Sequence, residues 1–183
     1  ALGRNSDAIS CCDMILANEP NNTDVLCHKG KSLSELNKNV EAVYCFDQAL
    51  DLAPSNYDSL YGKAFALDKQ GLIVDAIVFY DKALQIDPSS VSSLYRKGDA
   101  LATIGKHTEA LSCFDQVLQL EPTHFDATYR KAMTLSVLSR HKDALICFDK
   151  ALKIAPNDIQ VLVNKAISLY EIGIYEESIS NLN

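Results

Sequence analysis

Apolar residues recur along the chain at helical spacing, in short runs separated by polar turns. Between residues 23 and 56, Leu26, Gly30 and Leu33 share one face of a predicted helix, which Asn37-Lys38-Asn39 interrupts. Val40, Ala42, Val43, Phe46, Ala49 and Leu50 then mark the apolar face of a second helix. This run stops before Pro54, whose ring offers no N–H and disfavours helical geometry at Ala53. The pattern predicts two helices joined by a tight turn.

The pair recurs throughout. Pro20, Pro54, Pro88, Pro122 and Pro156 are each 34 residues apart, and a period of this size signals a repeat architecture. In the same phase run the acids Asp7, Glu41, Asp75, Glu109, Asp143 and Glu177. Beside them stand Ala8, Ala42, Ala76, Ala110 and Ala144, with Ser178 in the sixth place. Phe46, Tyr80, Phe114 and Phe148 fill the next column, with Cys12 and Leu182 at its ends. Four full units cover 23–56, 57–90, 91–124 and 125–158, preceded by a half unit at 1–22 and followed by a truncated one at 159–183. The expected fold is all-α, with about 11 helices stacked as antiparallel hairpins in one solenoid. Asn21-Asn22, Ser55-Asn56, Ser89-Ser90, Thr123 and Asn157-Asp158 are placed to cap first helices. Gly3, Gly71, Gly105 and Gly173 are placed to end them in the left-handed conformation.

Leu26-x2-Lys29-Gly30-x2-Leu33, Ala42-x3-Phe46 and Pro54 together resemble the tetratricopeptide repeat, and the resemblance covers the whole chain. Departures are modest: Leu26, Leu60, Leu94, Thr128 and Leu162 stand where that family usually has Trp, and its Gly becomes Ala64, Ala132 and Ala166. The resemblance implies a right-handed superhelix whose concave face is lined by first helices and takes up extended peptides or partner helices. No single unit can bury its apolar face alone, so neighbours must supply most of the stability.

Two ionic columns predict cross-unit contacts. Lys29, Lys63, Lys97, Lys131 and Lys165 stand level with Asp13, Asp47, Asp81, Asp115 and Asp149 across the antiparallel turns. Either they form a ladder between successive units or both columns are simply solvated, as exposed pairs often are. Cys11, Cys45, Cys113 and Cys147 share a column with Phe79; helices packed about 8–10 Å apart leave too long a reach for disulfides, so these are expected as packing thiols. His107, His124 and His141 fall in turns and are expected to face water.

Composition narrows the function. The net charge is −7, the wrong sign for a nucleic-acid binder. No apolar run reaches the roughly 20 residues needed to cross a bilayer, so membrane insertion is not expected. Six cysteines without CxxC spacing fit thiols in a reducing, cytoplasmic setting and no metal site. Gly-rich phosphate loops, HExxH, GxSxG and EF-hand patterns are absent, so neither a cofactor nor catalysis within these residues is expected.

The expected concave lining varies where the structural columns do not. Lys31, Tyr61, Phe65 and Lys69 come from the first two full units, with Cys27, His28 and Glu35 beside them. Tyr95, Arg96 and Asp99 follow, then Tyr129, Arg130 and Met133, and finally Asn164 and Tyr170. Tyrosine and arginine combine apolar area with directional hydrogen bonds and are enriched at interaction hot spots. They would form a peptide groove, or the tyrosines would fill the space between helices. A subfamily that binds acidic chaperone tails uses a lysine, asparagine and arginine clamp; only Arg96, Arg130 and Asn164 suit it, so that specificity is not expected. The asparagine ladder of sugar-transferring relatives is also missing, its column reading His28, Gly62, Arg96, Arg130 and Asn164.

Leu72, Ile73, Val74 and Val78 make one turn and second helix unusually apolar, either as a second interaction surface or through local packing. Leu2, Ile9 and Ile15 would lie partly uncovered without a polar capping helix. The expectation is a piece of a longer array, able to self-associate through open ends. The leading function is a non-catalytic module that binds a protein or peptide segment. The alternatives are a self-stacking scaffold and a non-catalytic region of a larger enzyme.

Overall fold

The computed structural model describes residues 2–180, apart from the side chains of residues 2, 3, 177, 179 and 180. Leu2 and Glu177 as side chains, and Leu182 altogether, therefore lie outside the described residues. Within them the secondary structure is helical throughout: α1 (Leu2–Asn18), α2 (Thr23–Glu35), α3 (Asn39–Leu52), α4 (Tyr57–Lys69), α5 (Ile73–Ile86), α6 (Val91–Thr103), α7 (His107–Leu120), α8 (Phe125–Val137), α9 (His141–Ile154), α10 (Ile159–Glu171) and α11 (Tyr175–Ser180). The chain divides into two compact units, residues 1–100 and 101–183. In the first, each of α1 to α4 packs on its successor and α2 also meets α4. In the second, each of α7 to α10 packs on its successor, and α8 meets α10. Each unit is thus a stack of antiparallel helix hairpins, the arrangement of an α-solenoid.

The turns explain the helix boundaries. Asn22, Asn56, Ser90 and Asp158 cap α2, α4, α6 and α10 by accepting the N–H of the residue three positions on. At α8 the cap is His124 rather than Thr123: its Nδ1 accepts the N–H of Ala127 at 3.2 Å, using the imidazole as an asparagine substitute. Gly71, Gly105 and Gly173 have φ near +80°, as the αL stop requires. Gly3 does not join them, because α1 begins a turn earlier and includes it. At the corresponding turns Asn37 and Ser139 take φ of +58° and +57°. Asparagine tolerates this region, whereas Ser139 meets the Cβ clash that disfavours it.

The first helices present glycine or alanine to the alanines of the second helices, which lets the backbones approach closely. Ala64 packs with Ala76 and Tyr80 in the first unit, and Ala132 with Ala144 and Phe148 in the second. Ser178, in the alanine column, is buried and donates to the carbonyl of Ala166 at 2.8 Å. The aromatic column lies at the centre of this packing: Phe46, Tyr80, Phe114 and Phe148 are all 0% exposed.

Tyr80 alone in that column carries a hydroxyl, and none of the described residues hydrogen-bonds it. Burial pushes its phenol far above the usual tyrosine range. Desolvating an unpaired hydroxyl is costly, so Tyr80→Phe should stabilise the fold by about 1–2 kcal/mol, read as a higher urea midpoint. A lower midpoint would show that the hydroxyl is bonded in solution.

The ionic ladder forms. Lys29 meets Asp13 at 2.6 Å, Lys97 meets Asp81 at 2.6 Å and Lys165 meets Asp149 at 2.9 Å, with Lys63–Asp47 and Lys131–Asp115 completing the series. Each lysine stem is largely covered while its aspartate stays half exposed. This is how a long amphipathic side chain buries its methylenes and keeps its head wet. Lys29 holds its proton more tightly than an ordinary lysine because Asp13 accepts a hydrogen bond from it. Its contribution to stability is therefore complete below the ordinary lysine pKa and is lost only as pH rises through the raised value.

The cysteines follow expectation except at Cys11 and Cys27. Cys45, Cys113 and Cys147 are buried, and none of the six cysteines forms a disulfide. Cys11 is exposed, since among the described residues α1 packs on α2 alone, while neighbouring Cys12 is buried instead. Cys27, expected on the lining, is also buried. Burial pushes the thiols of Cys12, Cys27, Cys45 and Cys147 up, which keeps them protonated and poorly nucleophilic. His107 and His141 do not face water: each is half-buried at the first position of its helix, with Nδ1 enclosed.

Candidate functional site: the first-helix faces

In the first unit the repeat brings Lys31 from α2, Tyr61 and Phe65 from α4, and Arg96 from α6 around one cleft of about 290 Å³. Ser34 and Glu35 complete its wall, and Gly62 and Phe46 lie at its base. Residues 61 and 65 are one helical turn apart, so both rings project from the same face of α4. Arg96 lays its guanidinium 5.0 Å from the centre of the Phe65 ring and 5.9 Å from that of Tyr95. It also hydrogen-bonds the Tyr61 hydroxyl, whose pKa burial raises while Arg96 draws it back. The Lys69 ammonium also lies over Phe65, 5.4 Å from its centre. Lys31 pairs with Asp58 at 3.2 Å, both side chains well exposed. Burial raises the pKa of the Asp68 carboxyl, opposed by Arg96 and Lys69.

Tyr61 also packs inward, stacking on Tyr57 at 6.1 Å and meeting Tyr80 at 6.0 Å. Its ring thus fills inter-helix space while its edge and hydroxyl reach the cleft. Tyr57 in turn hydrogen-bonds Ser90 and Ser93, tying α4 to the start of α6.

The second unit repeats the scheme with other chemistry. Tyr129 stacks on Phe125 at 6.3 Å, leans on Phe148 at 6.3 Å and accepts a hydrogen bond from Asn164 at 3.0 Å. Each of these two tyrosine hydroxyls is thus held by the residue 35 positions later, arginine in one case and asparagine in the other. Arg130 and Met133 line a separate cleft of about 290 Å³ with Thr103, His107 and Val137. Tyr170 joins neither group: it is exposed and meets Tyr175 edge-on at 5.2 Å. Asp99 lies half-buried on α6.

The second-helix side differs between the units. In the first, Leu72, Val74 and Val78 are exposed, while Ile73 is half-buried at the turn. Val40 and Tyr44, in the columns of Val74 and Val78 one repeat earlier, are exposed as well. Between these helices Val43, Val78, Phe79 and Lys63 line a cleft of about 280 Å³, with the Lys63 ammonium 4.0 Å from the Phe79 ring centre. In the second unit the same side carries a cleft of about 560 Å³, but there Lys131 pairs with Asp115 and Arg140 with Asp143.

No group of three or more potential metal ligands occurs among the described residues. None of their helices is long and apolar enough to cross a membrane.

The residues unanticipated from sequence are Ser34 and Phe46. The readable signal was Gly62, a lone glycine in a column otherwise holding His28, Arg96, Arg130 and Asn164.

Comparison with known proteins gives the same architecture. The family described as anaphase-promoting complex, cyclosome, subunit 3 matches residues 69–151, and the one described as tetratricopeptide repeat matches residues 28–91. No curated protein matches the sequence significantly. Among solved structures, MamA is 20% identical with a TM-score of 0.83, over 87% of either chain. MamA from Desulfovibrio magneticus RS-1, residue 41 to the end, is 18% identical with a TM-score of 0.83, over 87% of this chain and 90% of that one. YrrB, described as a TPR protein with an unusual peptide-binding site, is 18% identical with a TM-score of 0.82, over 93% of this chain and 88% of that one. Those likenesses show the fold alone; the two family matches, with the 34-residue columns, identify the chain's units as tetratricopeptide repeats.

Proposed function

We propose that the chain is a non-catalytic interaction module whose first-helix faces take up an extended segment of a partner protein. The observation that carries this is the cleft of Lys31, Tyr61, Phe65 and Arg96. Lys31, Phe65 and Arg96 are half-exposed at positions that vary from repeat to repeat, so the stack does not require them. Arginine held flat against an aromatic ring is pre-positioned to meet backbone carbonyls or a carboxylate. The solved structure of YrrB, a protein of this fold described by its peptide-binding site, is in keeping with this reading.

The test is capture of peptides from a random display library by the immobilised chain and by a Phe65→Ala/Arg96→Ala variant. The expected result is at least tenfold weaker binding by the variant with an unchanged helical circular dichroism spectrum. Equal binding by both proteins would reject the reading.

A second reading is favoured by exposed Val40, Tyr44, Val74 and Val78: association with a second copy through the outer faces of α3 and α5. Sedimentation velocity should then show concentration-dependent dimers that Val40→Lys/Val78→Lys abolishes. A wild-type chain that stays monomeric at high concentration would rule it out.

A further inference from the structure

Successive first helices carry His28, Gly62, Arg96, Arg130 and Asn164 at one position, and only Gly62 brings no side chain to it. A glycine within a helix is destabilising unless a close approach demands it. Here one does. The Phe46 ring lies between Gly30 and Gly62: a Cβ on Gly30 would fall 2.8 Å from it, and one on Gly62 closer still. The Phe46 ring thus takes the place of a Cβ at 62, and the cleft of about 290 Å³ lies beside both residues.

Size limits the occupant. The volume lies at the low end of small-ligand pockets, which run from about 300 to 1,000 Å³. An α-helix with its side chains is about 10–12 Å across and does not enter such a cleft, whereas one side chain of an extended strand does. The chemistry limits it further. Phe46, Tyr61 and Phe65 make the base and walls aromatic. Lys31 and Arg96 at the mouth repel a cationic side chain, with Glu35 the one acid of the lining. An anionic side chain would have to desolvate its charge against this aromatic base, while Lys31 already pairs with Asp58. Ser34, buried on the wall, keeps a hydroxyl unpaired among the described residues.

We infer that the Gly62 cleft is an anchor pocket for one bulky uncharged side chain, aliphatic or aromatic, of the partner segment. This rests on the reading of the first-helix face given above. Lys31 and Arg96 hold the segment's backbone carbonyls on either side of the anchor, and the neighbouring repeats tolerate varied sequence.

The pocket is tested without a known partner by titrating Nα-acetyl-L-leucinamide and Nα-acetyl-L-phenylalaninamide into the whole chain. The corresponding alanine, lysine and aspartate amides serve as comparisons. Binding is followed through the nuclear magnetic resonance shifts of the Gly62 amide and the Phe65 ring. Weak but saturable shifts at these groups are expected for the leucine and phenylalanine amides, at least tenfold stronger than for the other three. Phe65→Ala, which removes an exposed wall and leaves the core intact, should weaken them at least fivefold. Gly62→Leu should abolish them if it folds. Uniform responses to all five amides, shifts centred elsewhere, or none would overturn the inference. Peptides selected from the display library separate the two levels. Selected peptides that need Phe65 and Arg96 but share no apolar position would reject the pocket and leave the face reading intact. Absence of any selected peptide would reject the face reading, while the amide titration would still decide the pocket.

Discussion

Replacing Phe46 by alanine should destabilise the first unit by about 3–5 kcal/mol, the largest effect expected from any single change in the chain. The ring is 0% exposed and lies against two helices that both carry glycine at the contact. Collapse usually softens the loss of a buried ring, because neighbouring side chains lean into the void. Gly30 and Gly62 have no side chains to lean, so the cavity stays open and the full penalty applies. Urea denaturation measures it as a lower midpoint. Phe65→Ala is the control, since that ring is half exposed on the cleft wall and should change the midpoint little. Similar losses from both substitutions would mean that fold and face are not separate sets of residues.

Ala144→Leu should cost about 1–3 kcal/mol in the second unit for the opposite reason. Ala144 is 0% exposed, within a cluster that includes Ala132, Leu135, Phe148, Ala151 and Val161. Matching alanines on facing helices set the distance between backbones, and three added carbons have no void to enter. The helices must separate or Phe148 must leave its rotamer. A urea midpoint equal to wild type would show that this contact is looser than the packing indicates. Substituting leucine at exposed Lys142, two positions away on the same helix's wet side, should leave the midpoint nearly unchanged.

Most of the fold was legible because a repeat writes each structural requirement several times over. One proline or one alanine is weak evidence, but five prolines at a spacing of 34 fix the phase of every helix. The Lys–Asp ladder was readable for the same reason: antiparallel geometry sets residues symmetric about a turn level with one another. Where the columns break, the reading failed. His124 caps α8 although no general cap preference points to imidazole, and the polar Thr123 before it drew the assignment. Gly3 fell in phase with the αL glycines, yet α1 starts early enough to absorb it. Cys11 shares the column of buried thiols, but among the described residues α1 packs on α2 alone.

The face was less legible than the stack. Sequence placed Lys31, Tyr61, Phe65 and Arg96 on one wall, and the structure gathers them around one cleft. It could not show that Phe46 presses on Gly62 beside the cleft, since that depends on a ring position no periodicity encodes. Nor could it show that Tyr61 and Tyr129 divide themselves between packing and hydrogen bonding, each held by a residue of the next repeat.

The central claim is that these hairpins are stabilised neighbour by neighbour, which leaves the first-helix faces free to specialise. Native-state hydrogen exchange on the Phe46→Ala variant tests it most directly. Protection should fall sharply in α2, α3 and α4, the helices around the lost ring, while α8, α9 and α10 keep wild-type protection. An even loss of protection through all the helices would reveal one indivisible core and contradict the account.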